Sequence, residues 1–122
     1  EVAIIGCGPL LYQALVAARD LEKEGVNVLV IDSPSVKPID EVAIVAAAKK
    51  CGAVVTVEEH QVAGGFGGAV AEVLARKAPT PMEFIGLQDI FGESGSPKEL
   101  VEKYGMGVKD VKAAVKKVLR RK

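Results

Sequence analysis

Four short runs of mainly apolar residues alternate along this chain with segments whose apolar positions recur at helical spacing. The runs cover residues 2–5, 26–31, 53–57 and 82–87. Short apolar runs of this kind are typical of strands that are buried on both faces of a sheet. Alternation of strands and helices with short connections predicts right-handed crossovers and a parallel sheet. We therefore predict an α/β fold: three α/β/α layers around a mostly parallel four-stranded sheet in the order 2-1-3-4.

Helical spacing and local stop signals place the first two helices. The first is predicted to bury Leu11, Leu15, Ala18 and Leu21 and to end at Gly25, a residue suited to a left-handed C-terminal cap. The second lies between an N-cap at residue 40 and a stop at residue 52, with a hydrophobic staple joining positions 39 and 44.

The C-terminal third predicts further helices. A helix through residues 69–74 should follow the third strand, and residues 96–99 form a capping box with proline at the first helical position. The short helix that begins there is expected to end at Gly105. The last helix carries one apolar stripe, formed by Val108, Val111, Val115 and Val118.

Composition limits the classes of protein that fit. The 122 residues form one domain, 1–122, with 16 basic and 16 acidic residues, and this balance indicates neither a nucleic-acid nor a membrane partner. No apolar run reaches the ~18 residues that cross a bilayer. Two distant cysteines, Cys7 and Cys51, favour free thiols in a reducing cytoplasm. Because the chain begins directly on a strand, we expect it to be part of a longer protein.

Candidate chemistry lies where strands one and three end, because both ends should open at the carboxyl edge of the sheet. Backbone amides there suit a phosphate or carboxylate, or an interface with another protein. Neither glycine cluster completes a dinucleotide fingerprint, so close helix–strand packing is the favoured explanation of the glycines. The candidate interface or anion-binding residues are Gly6, Cys7, Gly8, Glu59, His60, Gln61, Gly64 and Gly65.

Three further hypotheses are weaker. Cys7 and His60 are possible partners in a nucleophile–base pair oriented by Glu58 or Glu59, but apolar neighbours favour an inert thiol at Cys7. One histidine without further ligands does not fit a zinc site. Asp32 follows strand two, where a ribose-binding acid would sit, yet without the upstream fingerprint it is expected to cap a loop.

Two motifs carry a resemblance that covers essentially the whole chain. The first is the run Val-Glu-Glu-His at residues 57–60, followed after three residues by Gly-Gly-Phe-Gly at 64–67. The second is Gly-Glu-Ser-Gly-Ser-Pro-Lys-Glu-Leu at 92–100, with Tyr-Gly at 104–105. Together they resemble the C-terminal domain of the transketolase family. Gly68 departs from the acidic or small polar residue that this family often has there.

The resemblance implies a parent enzyme that transfers a two-carbon ketol unit between sugar phosphates in the pentose phosphate pathway. In such enzymes thiamine diphosphate and a divalent metal, Mg or Ca, lie between other domains. The resemblance therefore implies no catalytic, cofactor-binding or metal-binding residue in this domain, and an isolated chain without activity. It implies a role in subunit assembly or regulation, with the remaining transketolase domains or a separate N-terminal subunit as partners, in a homodimer.

Two alternatives stay open. One is a regulatory α/β module that binds a small anion or nucleotide at the carboxyl edge. The other is the equivalent domain of deoxyxylulose-phosphate synthase or of a 2-oxo-acid dehydrogenase beta subunit. The family domain usually begins with an extra antiparallel edge strand, and this chain starts just after the expected position of that strand. We therefore expect the neighbourhood of the first strand to be partly uncovered.

Overall fold

A computed structural model describes residues 1–6, 11–32, 40–61, 66–87 and 107–122 of the chain. Within these residues strands and helices alternate. The elements are β1 (Val2–Gly6), α1 (Leu11–Lys23), β2 (Val28–Asp32), α2 (Glu41–Cys51), β3 (Val54–Gln61), α3 (Phe66–Lys77), β4 (Met82–Leu87) and α4 (Val108–Arg120). In the part of the chain described, no helix is long and apolar enough to span a membrane.

The four strands form one sheet in the order β2-β1-β3-β4, and every neighbouring pair is parallel. The predicted fold class and strand order are therefore confirmed. β1 lies in the interior of the sheet, with Gly6 aligned both with Asp32 of β2 and with Val57 of β3. Parallel pairing brings the carboxyl ends of the strands to one edge, as expected of α/β sheets.

Alternate side chains along the strands supply two separate cores, one on each face of the sheet. One face packs against α1 and α4, and the other packs against α2 and α3. On β1, Ile4 belongs to the first core and Ile5 to the second, and both are fully buried. This three-layer arrangement explains the continuous apolar runs, because strands covered on both faces have no polar side.

The structure contains the helix caps from which the boundaries of the first two helices were predicted. Asp40 caps α2 by accepting a hydrogen bond of 3.1 Å from the Ala43 amide. Gly52 ends the same helix with a φ of +80°. Gly25, with a φ of +89°, follows α1, where the Gly25 and Val26 amides donate back to carbonyls of the last turns. Both glycines occupy the left-handed region that other residues adopt only at a cost.

The buried face of α1 differs from the predicted one. Ala14, Ala17 and Leu21 are fully buried, whereas the side chain of Leu15 is 52% exposed. Ala18 is only partly buried. The helix presents alanines to the first core because their small side chains let it lie close to the sheet and to α4. For α4 the predicted stripe is confirmed, with Val111, Val115 and Val118 buried and Val108 packed against the same core.

The first strand is itself fully covered, so the exposure expected in its neighbourhood does not fall on β1. All five residues of β1 are buried, because β1 has a parallel neighbour on each side. Partial exposure falls on β2 instead, where four residues are half-buried and Asp32 is exposed. The predicted helix at 96–105 and the staple at position 39 lie outside the described residues.

Ion pairs join the end of α1 to α4. Glu24 contacts Lys112 at 2.7 Å and Lys116 at 3.0 Å. Hydrogen bonds to Lys112 and then Lys116 hold the pKa of the Glu24 carboxyl below its ordinary value of 4.5. The same Glu24 contact raises the pKa of Lys112 above 10.5. Because these groups are exposed, the pairs are screened by solvent and contribute only modestly.

We predict that this contribution depends on pH. A lowered carboxyl pKa stabilises the fold above pH 4.5, and the contribution is lost as the pH falls through the folded-state value. Glu24→Gln should therefore lower the melting temperature slightly at neutral pH and have no effect well below pH 4.5. Thermal unfolding across this pH range measures the difference. Glu22→Gln, the same change at a neighbouring exposed position, is the control; an equal loss in both variants would contradict the assignment.

Candidate functional site at the carboxyl edge of the sheet

The third strand extends further than predicted and carries part of the candidate site. The apolar run indicated a strand that ends at Val57, but β3 continues to Gln61. Glu59 and His60 are therefore strand residues beyond the position opposite Gly6, the last residue of β1. The other predicted residues, which lie outside the described part of the chain, are Cys7, Gly8, Gly64 and Gly65.

This extension of β3 is irregular. Val57 aligns with Ile85 and Gln61 aligns with Leu87, so β3 uses four residues where β4 uses two. Irregularities of this kind bend a strand and often occur at functional edges. His60 lies three positions beyond Val57 along the strand, a span of at most about 10 Å at ~3.3 Å per residue. The proposed pairing of Cys7 with His60 stays a prediction, because Cys7 lies outside the described residues.

Glu58 is a buried carboxylate at this edge. Its side chain is 1% exposed and faces α3, and one of its oxygens accepts a short hydrogen bond from the Gly67 amide. Gly67 is the second residue of α3, so its amide is one of the donors that a helix leaves without an intrahelical partner. A negative charge also suits the positive end of the helix dipole. Glu58 thereby ties the end of β3 to the start of α3.

Gly67 permits this close approach. A β-carbon at this position would lie 2.7 Å from Oγ1 of Thr56, 2.8 Å from Cδ1 of Phe84 and 3.2 Å from the Glu58 carboxylate. The first two distances are shorter than side-chain contacts allow. The packing explanation therefore accounts for this glycine. At Gly6 a β-carbon would meet the flexible end of Leu11 at 2.7 Å, so the requirement there is weaker.

Thr56 lies beneath the same contact. It is fully buried, and its hydroxyl has no hydrogen-bond partner within the described structure. A buried hydroxyl without a partner costs about 1–3 kcal/mol in proteins. Thr56, Glu58 and Gly67 thus form a small polar cluster, named here the β3–α3 cluster, inside an otherwise apolar layer.

The β3–α3 cluster does not fit the diphosphate of a thiamine cofactor. The amide at the start of α3 already binds a carboxylate of the protein itself, and that carboxylate would repel a second anion. Across residues 1–6, 11–32, 40–61, 66–87 and 107–122, His, Cys, Asp and Glu side chains form no group of three that could hold a metal ion. Asp32 is exposed at the end of β2.

Comparison with known proteins defines the class. Residues 1–111 match the family model for the transketolase C-terminal domain, and the chain belongs to this family. A solved split-gene transketolase, an inactive tetramer of four beta chains, is 49% identical in sequence to this chain and superimposes with a TM-score of 0.94. The match covers 98% of this chain and 39% of that one. The resemblance inferred from the two motifs is therefore confirmed.

Curated relatives extend beyond transketolase itself. The chain is 40% identical to a 6-deoxy-6-sulfo-D-fructose transketolase subunit of Clostridium sp. (strain MSTE9), covering 100% of this chain and 38% of the relative. It is 39% identical to the 1-deoxy-D-xylulose-5-phosphate synthase of Desulforudis audaxviator, and the match covers 88% of this chain and 17% of that relative. The chain thus spans well under half the length of these relatives.

The structural roles of Thr56 and Glu58 were not predicted from the sequence, whereas close helix–strand packing was the favoured explanation of the glycine cluster that contains Gly67. Glu58 was considered only as an orienting acid for His60, whereas the structure shows it buried and bonded to the α3 amide. One signal was available: Glu58 follows a β-branched strand and precedes a helix-starting glycine by nine residues. Alternation along β3 places Thr56 and Glu58 on the same face, opposite Val55 and Val57.

We predict that Glu58→Ala destabilises the domain by about 2–4 kcal/mol, because the Gly67 amide loses its partner and a cavity remains. Urea unfolding measures the loss. Glu58→Gln is the matched control: it keeps the volume and an acceptor oxygen but removes the charge, and should cost less than Glu58→Ala. Equal stability of Glu58→Ala and the parent chain would contradict a structural role for the carboxylate.

A second prediction concerns the unpartnered hydroxyl. Thr56→Val replaces it with a methyl group of similar size and should leave stability unchanged or raise it by up to about 1 kcal/mol. Thr56→Ser keeps the hydroxyl but removes a buried methyl group, and should lower stability by about 1 kcal/mol. The urea concentrations at the unfolding midpoints of the two variants separate the effect of the hydroxyl from that of the methyl group. A Val variant less stable than the Ser variant would show that the hydroxyl has a partner.

Proposed function

We propose that this chain is the C-terminal part of a transketolase-type enzyme and that it supports assembly or regulation, while other polypeptide supplies the catalytic centre. The parent enzyme transfers a two-carbon ketol unit between sugar phosphates in the cytoplasm. Thiamine diphosphate and Mg or Ca act in the parent and are held by residues outside this chain. The proposed partners are the remaining transketolase domains or a separate N-terminal subunit.

The observation that carries this proposal is the bond from the Gly67 amide to Glu58. An α/β domain that binds a phosphate uses the start of a helix behind a strand to do so. Here that position is filled by the carboxylate of Glu58, which is 1% exposed and lies beside Gly67, as Thr56 does. The carboxyl edge beside β3 is accordingly built for packing, which supports a role in assembly.

The length of the relatives supports a division of labour. The chain covers 38% of the sulfofructose transketolase subunit and 39% of the solved split-gene chain. The solved split-gene protein is an inactive tetramer of beta chains. Its self-association supports our proposal that copies of the present chain also associate with each other. We propose a two-fold pair of copies as the basic unit, since isologous pairs are the commonest assembly of identical chains.

We propose the substrates of the parent enzyme only as a class, sugar phosphates. The relatives include a 6-deoxy-6-sulfo-D-fructose transketolase subunit and 1-deoxy-D-xylulose-5-phosphate synthases. We favour ketol transfer between sugar phosphates, because the Ser-Pro-Lys-Glu-Leu motif at 96–100 belongs to the resemblance with transketolase. The deoxyxylulose-phosphate synthase assignment is the second candidate, and an absence of ketol transfer in the mixture described below would favour it.

A regulatory anion-binding module is the alternative of a different class. The buried Glu58 carboxylate disfavours it at the start of α3, because a second negative charge would be placed beside the first. A nucleotide or sugar phosphate present at 100 times its dissociation constant would add ~2.7 kcal/mol to the free energy of unfolding. Thermal melts with and without these ligands detect such a change.

We predict that the chain alone neither binds thiamine diphosphate with Mg²⁺ in calorimetric titration nor transfers a ketol unit. Adding the remaining domains as a separate polypeptide should restore transfer, measured by the appearance of the product sugar phosphate. The remaining domains without this chain serve as the control and should be less active than the mixture. Sustained transfer by the chain alone, or full activity of the remaining domains alone, would contradict the division of labour.

A further inference from the structure

The last turns of the helices make one edge of this domain basic. α1, α2 and α3 are joined to the start of the next strand by the short connections 24–27, 52–53 and 78–81. The end of α4 reaches the same edge, because Lys122 donates a hydrogen bond of 3.1 Å to the Glu1 carbonyl. The basic residues in the last turns are Lys23, Lys49, Lys50, Arg76, Lys77, Lys117 and Arg120. The edge where the strands begin is therefore rich in cations.

At the ends of α2 and α3 these cations are only partly neutralised within the domain. Glu41 contacts both Lys77, at 2.8 Å, and Arg76, at 3.4 Å, so one carboxylate serves two cations. The Lys77 hydrogen bond, ahead of the other contacts, holds the pKa of the Glu41 carboxyl below its ordinary value of 4.5. Among the described residues, neither Lys49 nor Lys50 has an ion-pair partner. Positive charge therefore remains uncompensated on this part of the surface.

An apolar hollow lies among these cations. Its volume is 380 Å³, and Val42 at its rim is 82% exposed. The helix dipole favours lysines at the end of α2, but it does not account for an exposed valine and an apolar hollow next to them. The residues that line the hollow are Glu41, Val42, Val45, Ala46, Lys49 and Lys77. These residues, with the adjacent Lys50, are named here the basic α2 face.

The basic α2 face lies beside residue 1. Lys50 and Glu1 line a second hollow, which has a volume of 280 Å³. In a parent enzyme of which this chain is the C-terminal part, the preceding polypeptide joins at Glu1. The remaining domains are therefore held next to this face, at a high effective concentration.

The chemistry of the face selects a partner that is acidic and partly apolar. Uncompensated lysines attract carboxylates, and such pairs steer association and fix its register. The hollow beside Val42 gains stability only when a nonpolar side chain fills it. A nucleic acid would leave the hollow unfilled, and a chain with 16 basic and 16 acidic residues has no net attraction to an anionic membrane. A segment of protein supplies both kinds of contact.

We propose that the basic α2 face docks an acidic segment of the polypeptide that carries the remaining transketolase domains. One apolar side chain of that segment enters the hollow beside Val42, and its carboxylates lie beside Lys49 and Lys50. Burial of the apolar side chain supplies most of the affinity, while the ion pairs raise the rate of association. This inference deepens the proposed role in assembly and rests on it.

The first test places charges of opposite sign at the same position. Val42→Asp should weaken binding of the chain to the remaining domains about tenfold or more, because it removes apolar contact and repels the partner's carboxylates. Val42→Lys is the matched control: it removes the same valine, but its charge is attracted and its stem covers the hollow. It should bind at least about fivefold more tightly than Val42→Asp. Calorimetric titration at low ionic strength measures both dissociation constants.

The second test removes the two unpaired lysines. Lys49→Gln combined with Lys50→Gln should weaken the same binding about fivefold at low ionic strength and reduce its dependence on salt. Arg19→Gln combined with Lys109→Gln is the matched control, because it removes two exposed cations of α1 and α4, in the opposite layer. The control should bind as the parent chain does. Melting temperatures of all variants check that the fold is retained.

Several outcomes would overturn this docking. These are equal weakening by Val42→Asp and Val42→Lys, equal effects of the two double variants, or binding that does not change with salt. Retention of the chain on vesicles of phosphatidylserine and phosphatidylcholine, lost when Lys49 and Lys50 are replaced, would assign the face to a membrane instead.

The docking and the proposed function fail in different ways. No binding between the chain and the remaining domains would contradict the proposed function itself, and the docking with it. Normal binding by every variant would overturn only the docking at α2, since the two polypeptides would still associate through another surface.

Discussion

The contact on which the carboxyl edge of this domain depends is the hydrogen bond between the Gly67 amide and the buried carboxylate of Glu58. It joins the end of the third strand to the start of the helix behind it, at the place where phosphate-binding α/β proteins leave the helix amides free. The missing side chain of Gly67 makes the contact possible, since a β-carbon would collide with Thr56 and Phe84. Within the described residues, this bond therefore fixes how the end of β3 packs against the start of α3, and it occupies the Gly67 amide.

The rest of the architecture positions this contact. β3 lies between β1 and β4, and its two faces supply different cores: Val55 and Val57 contact the layer of α1 and α4, while Val54 contacts that of α2 and α3. Thr56 and Glu58 continue the second face, so a polar cluster lies inside an apolar layer. Ion pairs outside the two cores join α4 to its neighbours: Glu24, just after α1, pairs with Lys112, and the half-buried Glu83 of β4 pairs with Lys117. Such pairs contribute less than the buried contacts.

Membership of the transketolase C-terminal domain family agrees with this organisation. The chain is much shorter than the relatives it matches. Its described surface carries an apolar helix face at α2 and a half-buried strand at β2. Surfaces of this kind are expected where a domain contacts further polypeptide. These exposed apolar positions agree with the proposed role in assembly.

The sequence by itself determined the fold class, the strand order, the caps at Asp40, Gly25 and Gly52, and the family. These features depend on local periodicity, on backbone preferences and on two motifs, all of which are present in the linear order of residues. The tertiary structure alone decided that Leu15 is exposed, that β3 continues to Gln61 and that Glu58 is buried. Each of these depends on which element lies opposite: α4 selects the alanine face of α1, β4 extends the pairing of β3, and the helix end at Gly67 supplies the donor for Glu58. Such pairings join residues on different elements, and the pattern along one element does not specify them.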